Sequence, residues 1–298
     1  MDWNETREFL EPFFPEEVRS ELAMLLPGEL REIRIRADRP TVFVTATRTA
    51  FLPWLPGQMQ LDALVEALSE HSLYARTEEI SHGYLTLRGG HRLGLCGRVA
   101  FSDKRSVLSD VGSVCLRIAA PWPDSAAELL PYLDDSMPSV LIVGPPGSGK
   151  TTMLRDLARL LATGANSLQV AVVDERSELC ACISGVPQLD VGDATDVLDG
   201  LTKPAAIPWL VRSMSPQVIV TDELGGADDA AAVLDAVHSG VAVCASVHGA
   251  SLQDVARQPP LASLMAQRVF GLYAVLSPEG GGCIAGLYDR TGSPLNTP

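Results

Sequence analysis

Residues 144–152 read Gly-Pro-Pro-Gly-Ser-Gly-Lys-Thr-Thr, which fits the spacing G-x-x-x-x-G-K-[ST] of a phosphate-binding loop. Glycines at this spacing let successive N–H groups turn inward on phosphate oxygens, at the positive end of the following helix. Gly144, Pro145, Pro146, Gly147, Ser148, Gly149, Lys150, Thr151 and Thr152 would then cradle the phosphates of ATP. Lys150 would reach the β- and γ-phosphates, and the Thr151 hydroxyl would ligate Mg²⁺. Three further polar clusters share one property with this loop: each follows a short apolar run. Asp174, Glu175 and Glu178 follow Val170-Ala171-Val172-Val173; Asp222 and Glu223 follow Val218-Ile219-Val220-Thr221; His248 follows the run 241–247. Phosphoryl transfer needs one carboxylate to hold Mg²⁺ and another to orient the attacking water, which assigns Asp222 to the metal and Glu223 to the water. Glu175 and Glu178, beside Asp174, either help position water or metal or cap the next helix. His248 can hydrogen-bond a γ-phosphate, or it is a satisfied core histidine. Arg98 and Arg117 are the candidates for an arginine supplied by a neighbouring subunit to offset transition-state charge; the alternative is that they line solvated strand faces.

The elements around these residues follow from the apolar pattern. Ser139–Val143 is a β-branched run ahead of the loop, and the apolar residues of 153–162 recur at three and four, a helix. Strands at 170–173, 218–221 and 241–247 alternate with helical stretches near 207–214 and 228–238. Such alternation marks a parallel sheet with helices on both faces. Ligands of open parallel sheets sit at the carboxyl ends of the strands, so the four polar clusters should converge on one crevice. A hairpin over 270–288, turning through Glu279-Gly280-Gly281-Gly282, closes the region, and the tail after Asp289 is expected to be loose. Upstream the pattern is different. Short helices fill 1–30, the run 32–36 alternates as a strand with a partner at 41–44, and a helix spans 61–73. A hairpin covers 80–101 with a turn at Gly89-Gly90, and a further strand covers 114–118. Pro121-Trp122-Pro123 separates the two regions, giving an α+β domain over 1–120 and an α/β domain over 121–298.

The 298 residues carry a formal charge of −14 with 46% hydrophobic residues, enough for a substantial core. That charge gives no long-range attraction for nucleic acid, so no nucleic-acid partner is expected. Six scattered cysteines read as buried thiols, and Cys180-Ala181-Cys182 lacks the second pair a zinc site needs. The start, Met1-Asp2-Trp3-Asn4-Glu5, is acidic, and no apolar run reaches membrane-spanning length. The expectation is a cytoplasmic chain with no direct membrane insertion, peripheral at a membrane only through partners. No N-K-x-D guanine-reading stretch occurs, since Thr202-Lys203-Pro204 lacks the acid.

The order phosphate loop, VVDERSE (172–178), RSMSPQVIVTDE (212–223) and GVAVCASVHGAS (240–251) resembles the four boxes of the type II and type IV secretion ATPases. With EIRIRADRP (32–40) and SHGYLTLRGGHRLGLCGRV (81–99) ahead of GPPGSGKTT, nearly the whole chain resembles the stage III sporulation protein AA family of endospore-forming bacteria, a relative of those ATPases. The resemblance implies a RecA-like P-loop NTPase core with a parallel sheet, preceded by a smaller α+β N-terminal domain. It implies a Mg²⁺-dependent ATPase in the mother cell, assembled as a hexameric ring. Its partners would be membrane-embedded sporulation channel proteins, which it energises or assembles. Box by box it implies Walker A at Lys150 and Thr151, the Asp box at Asp174, Glu175 and Glu178, Walker B at Asp222 and Glu223, and the His box at His248. Two positions depart from the secretion-ATPase pattern: Arg176 stands where those enzymes usually have proline, and Asp222 where they usually have glycine. Two alternatives stay open, a nucleic-acid-dependent ATPase on the same core and a nucleotide switch that scaffolds without hydrolysis.

Overall fold

The computed structural model describes residues 1–70, 83–102, 105–120, 122–133 and 139–295. The chain divides into two compact units, Met1–Pro121 and Trp122–Pro298. Residues 80–82 of the expected hairpin and 71–73 of the expected helix lie outside the described residues.

In the first unit, helices α1 (Trp3–Leu10), α2 (Glu16–Met24) and α3 (Gln58–Leu68) accompany one antiparallel sheet. Its strands are β1 (Leu30–Arg36), β2 (Thr41–Thr45), β3 (Thr49–Leu52), β4 (Tyr84–Thr86), β5 (Arg92–Ser102) and β6 (Arg105–Arg117), in the order β3-β2-β1-β6-β5-β4. The alternation in β1 has the expected result. Ile33 and Ile35 are fully buried, packed with Leu10, Val18, Leu22 and Leu61 from the helices, while Arg36 is exposed. Helices gather apart from strands along the chain, so the unit is α+β.

In the second unit, seven strands form one sheet in the order β13-β12-β7-β11-β10-β8-β9. They are β7 (Val140–Gly144), β8 (Val170–Asp174), β9 (Thr195–Asp199), β10 (Val218–Glu223), β11 (Ala242–His248), β12 (Leu272–Leu276) and β13 (Ile284–Asp289). Every pairing is parallel except the closing β12–β13 hairpin. The helices are α4 (Lys150–Leu161), α5 (Lys203–Ser213), α6 (Ala227–His238), α7 (Leu252–Ala256) and α8 (Pro259–Ala266). The strands read as continuous apolar runs because both faces are covered. Leu141, Val173, Ile219 and Val243 point into a core with α5, α6 and α8. Their neighbours Ile142, Val172, Val220 and Cys244 point the other way, onto Met153, Leu157 and Leu161 of α4. The tail is not loose up to Leu295. The Leu295 N–H donates to Leu287 O at 2.8 Å, Pro294 bridges Tyr288, and Leu295 packs on the α4-side core.

Candidate functional site

The loop between β7 and α4 has the backbone its glycines suggest. Gly147 (φ +76°) and Gly149 (φ +100°) lie in the left-handed region, where a side chain is strained. A Cβ on Gly144 would come within 2.3 Å of Ser148 Oγ. Ser148 is buried, and its hydroxyl has no hydrogen-bond partner among the described residues. The Lys150 ammonium folds back over the loop and donates to the carbonyls of Gly144 (2.9 Å) and Pro145 (3.0 Å). Burial lowers the Lys150 pKa, and the negative charge of Glu223 works against that shift. An orphaned buried hydroxyl, a half-buried ammonium that among the described residues donates to its own loop's carbonyls, and a helix N-terminus, whose first-turn N–H groups have no acceptor within the helix, suit a phosphate cradle.

The carboxyl ends of β7, β11, β10 and β8 stand side by side. His248 is in register with Gly144, and the Gly249 N–H donates to Gly144 O at 3.3 Å, so the histidine borders the loop. In β10 the register with β11 slips by one residue between Thr221 and Glu223, a β-bulge at Asp222. A bulge re-aims the side chains beside it. Here Asp222 is buried and Glu223 is exposed, with its charge felt by Lys150.

Of the two roles open to the acidic cluster after β8, capping the next helix is not what the structure has, since no helix follows before Lys203. The fully buried Asp174 carboxylate accepts the N–H groups of Glu178 (2.8 Å) and Cys180 (2.7 Å), which fixes the loop 175–180. Arg155 of α4 holds the same loop from the other side through the carbonyls of Glu178 (2.8 Å) and Leu179. Glu178 thus enters this network through its backbone.

Sequence reasoning missed Lys203. It opens α5, is buried, and sets its ammonium 2.9 Å from Glu175 Oε2 and 2.5 Å from Asp222 Oδ1. Burial pulls the Lys203 pKa down, but Asp222 and Glu175 together more than offset this, and the ammonium is held charged. Burial raises the Asp222 pKa; Lys203 opposes the shift, while Asp174 and Glu175 add to it. One ammonium among three carboxylates leaves excess negative charge at this edge, and among the described residues Asp222 Oδ1 makes an ion pair but no aligned hydrogen bond. Among the described residues no group of three or more His, Cys, Asp or Glu side chains is arranged to hold a metal by itself. Mg²⁺ takes one or two carboxylates and fills its other positions with phosphate and water, so phosphate oxygens would tighten its hold on such an edge. The signal for Lys203 was β9, whose weakly apolar Thr195–Asp199 did not read as a strand; β9 runs parallel to β8, Asp199 beside Asp174, and so delivers Lys203 to the acidic edge.

The second missed feature is the turn of the closing hairpin. Gly280, Gly281 and Gly282 have φ of +83°, +76° and +75°. The Gly282 N–H donates to Ser148 O at 3.0 Å, and a Cβ on Gly149 would stand 2.7 Å from Gly282 N. The turn is therefore seated on the phosphate loop. Arg98, exposed on β5, and Arg117, at the end of β6 and 3.5 Å from Glu32 Oε1, both belong to the first unit.

Comparison with known proteins agrees with this architecture. Among solved structures, the chain is similar to the ATPase DotB of Yersinia pseudotuberculosis, with a TM-score of 0.60 and 14% identity over 93% of this chain and 80% of that one. It is also similar to the pilus retraction motor PilT with bound ADP, with a TM-score of 0.54 and 15% identity over 83% and 74%. The fold is thus the α/β fold of the secretion ATPases, and no helix among the described residues is long and apolar enough to cross a membrane. The chain is 40% identical over 275 residues to the stage III sporulation protein AA of Bacillus subtilis strain 168, covering 90% of this chain and 89% of that protein. The family model described as "Sporulation stage III, protein AA" matches residues 17–295, and the chain belongs to that family.

Proposed function

We propose that the second unit binds and hydrolyses Mg²⁺–ATP. The observation that carries this reading is the loop itself: Lys150 bent onto the Gly144 and Pro145 carbonyls beside an orphaned Ser148 hydroxyl, with the charge of Glu223 acting on the same ammonium. Bound nucleotide supplies the phosphoryl group, and Mg²⁺ neutralises its charge. Lys150 exchanges its two carbonyl partners for phosphate oxygens. The N–H groups at the start of α4 hold the phosphates, and Thr151 and Asp222 supply oxygens to the cation. Glu223, exposed and beside the lysine, takes the proton of the attacking water; Glu175 and Glu178 support the acidic edge, and His248 reads the γ-phosphate from beside Gly144. Arg98 or Arg117 acts from a neighbouring copy in a homo-oligomer, with a hexameric ring as the proposed assembly. The domains divide the work: 1–120 moves against 121–298, and membrane-embedded sporulation channel proteins in the mother cell feel the motion.

A second reading, a nucleotide-binding scaffold without turnover, is favoured by one observation, the pairing of Asp222 with Lys203. Phosphate release and fluorescent-nucleotide binding by the purified chain separate the two. Lys150→Ala should lose both, whereas Glu223→Gln should bind normally and release phosphate at least about a hundredfold more slowly. Undiminished turnover in either variant would contradict the assignment, and binding without turnover in the wild type selects the scaffold.

A further inference from the structure

Lys203 stands where a buried cation is costly. It is the first residue of α5, at the positive end of an 11-residue helix whose first turn holds no acid. A cation there is disfavoured by the helix dipole and by burial. Glu175 and Asp222, brought from the ends of β8 and β10, are the ion-pair partners that make the position tenable. The loop that fixes Glu175 is itself pinned by Asp174 and Arg155. All of these elements serve to hold an ammonium on the carboxylate assigned to the cation.

We infer that Lys203 is a positioning residue: its ammonium acts as a resident counter-ion that keeps Asp222 closed to divalent cations until nucleotide phosphates arrive. This rests on the nucleotide reading above. Without nucleotide, the ammonium supplies the positive charge that the acidic edge requires. With nucleotide present, phosphate oxygens complete the coordination that Asp222 alone does not offer. The ammonium then keeps Glu175, and Asp222 turns to the metal. Cation binding thereby becomes conditional on nucleotide.

The test is Mn²⁺ binding by the nucleotide-free full chain, followed by electron paramagnetic resonance. Removing the ammonium leaves the carboxylates unpaired in a site of reduced dielectric, so Lys203→Gln should bind Mn²⁺ about tenfold or more tightly than wild type. Lys203→Arg should behave as wild type, and Lys203→Gln combined with Asp222→Asn should lose the gain. A thermal melt gives a second readout. Lys203→Gln should melt several degrees lower, on the order of 5–10 °C, and millimolar Mn²⁺ should recover most of that loss. Mn²⁺ affinity within about twofold of wild type overturns the inference. So does a Lys203→Gln chain that stays unfolded with and without Mn²⁺, because a divalent cation then does not replace the ammonium. A fluorescent adenine nucleotide is titrated in parallel. If wild type does not bind it, the nucleotide reading falls while the Mn²⁺ comparison still decides the role of Lys203. If wild type binds it and Lys203→Gln gains no Mn²⁺ affinity, only the Lys203 inference falls.

Discussion

Asp174→Ala separates a structural carboxylate from a catalytic one. The wild-type side chain is fully buried and accepts two backbone N–H groups, from Glu178 at 2.8 Å and Cys180 at 2.7 Å. Each hydrogen bond to an ionised acceptor contributes about 1.5–3 kcal/mol. The two losses are unequal. Glu178 is exposed, so its N–H regains water; Cys180 is fully buried, and its N–H stays unsatisfied. The net loss is therefore about 3 kcal/mol, most of it at Cys180. In a unit of this size 1 kcal/mol corresponds to about 2–4 °C, so the melting temperature should fall by about 6–12 °C. The assay is calorimetry on wild type, Asp174→Ala and Asp174→Asn, the last keeping one acceptor oxygen and falling between. Fluorescent-nucleotide affinity, measured well below the transition, should stay within about threefold of wild type, since the carboxylate is taken up by the backbone N–H groups of its own loop. A melting temperature within about 2 °C of wild type, with nucleotide binding lost, would refute the reasoning and place Asp174 among the residues of the site.

Three further outcomes follow from named contacts. His91 is buried with its pKa lowered to about 4, its Nδ1 accepting the Ala119 N–H at 3.0 Å and its ring stacked on Phe9. The unfolded chain binds the proton more readily, so the histidine's contribution is complete above pH ~6.5 and falls by about 3 kcal/mol as pH drops to ~4. Urea unfolding across that range should show this slope in wild type, and His91→Gln should flatten it. Gly149→Ala places a Cβ 2.7 Å from Gly282 N at a φ of +100°. It should cost about 2–4 kcal/mol in urea unfolding and weaken nucleotide binding, and wild-type behaviour in both would contradict the seating of the glycine turn on the loop. The Lys150→Ala and Glu223→Gln pair is read by phosphate release against nucleotide retention, as set out above.

What the sequence determined by itself is the part written in local pattern. The apolar runs of β7, β8, β10 and β11 are legible because both sheet faces are buried, and the phosphate loop is legible because its glycine spacing serves a backbone shape. The alternation of Ile33 and Ile35 likewise marks β1. With the rule that parallel strands present ligands at their carboxyl ends, these placed Lys150, Asp222, Glu223 and His248 on one edge. Tertiary structure decided the rest. β9 is half-buried at the sheet edge, so its Thr195–Asp199 carries little apolar signal, and Lys203 behind it lies ahead of the helical stretch expected near 207–214. That a cation on α5 meets Glu175 from β8 and Asp222 from β10 depends on strand order, which residue spacing does not encode. The same holds for Asp174, whose carboxylate turned inward to two N–H groups, and for Gly280–Gly282, which read as a hairpin turn and proved to rest on the phosphate loop more than 130 residues earlier. Local periodicity encodes which face of an element is apolar; which polar group meets which is set by how the strands are ordered and where their ends fall.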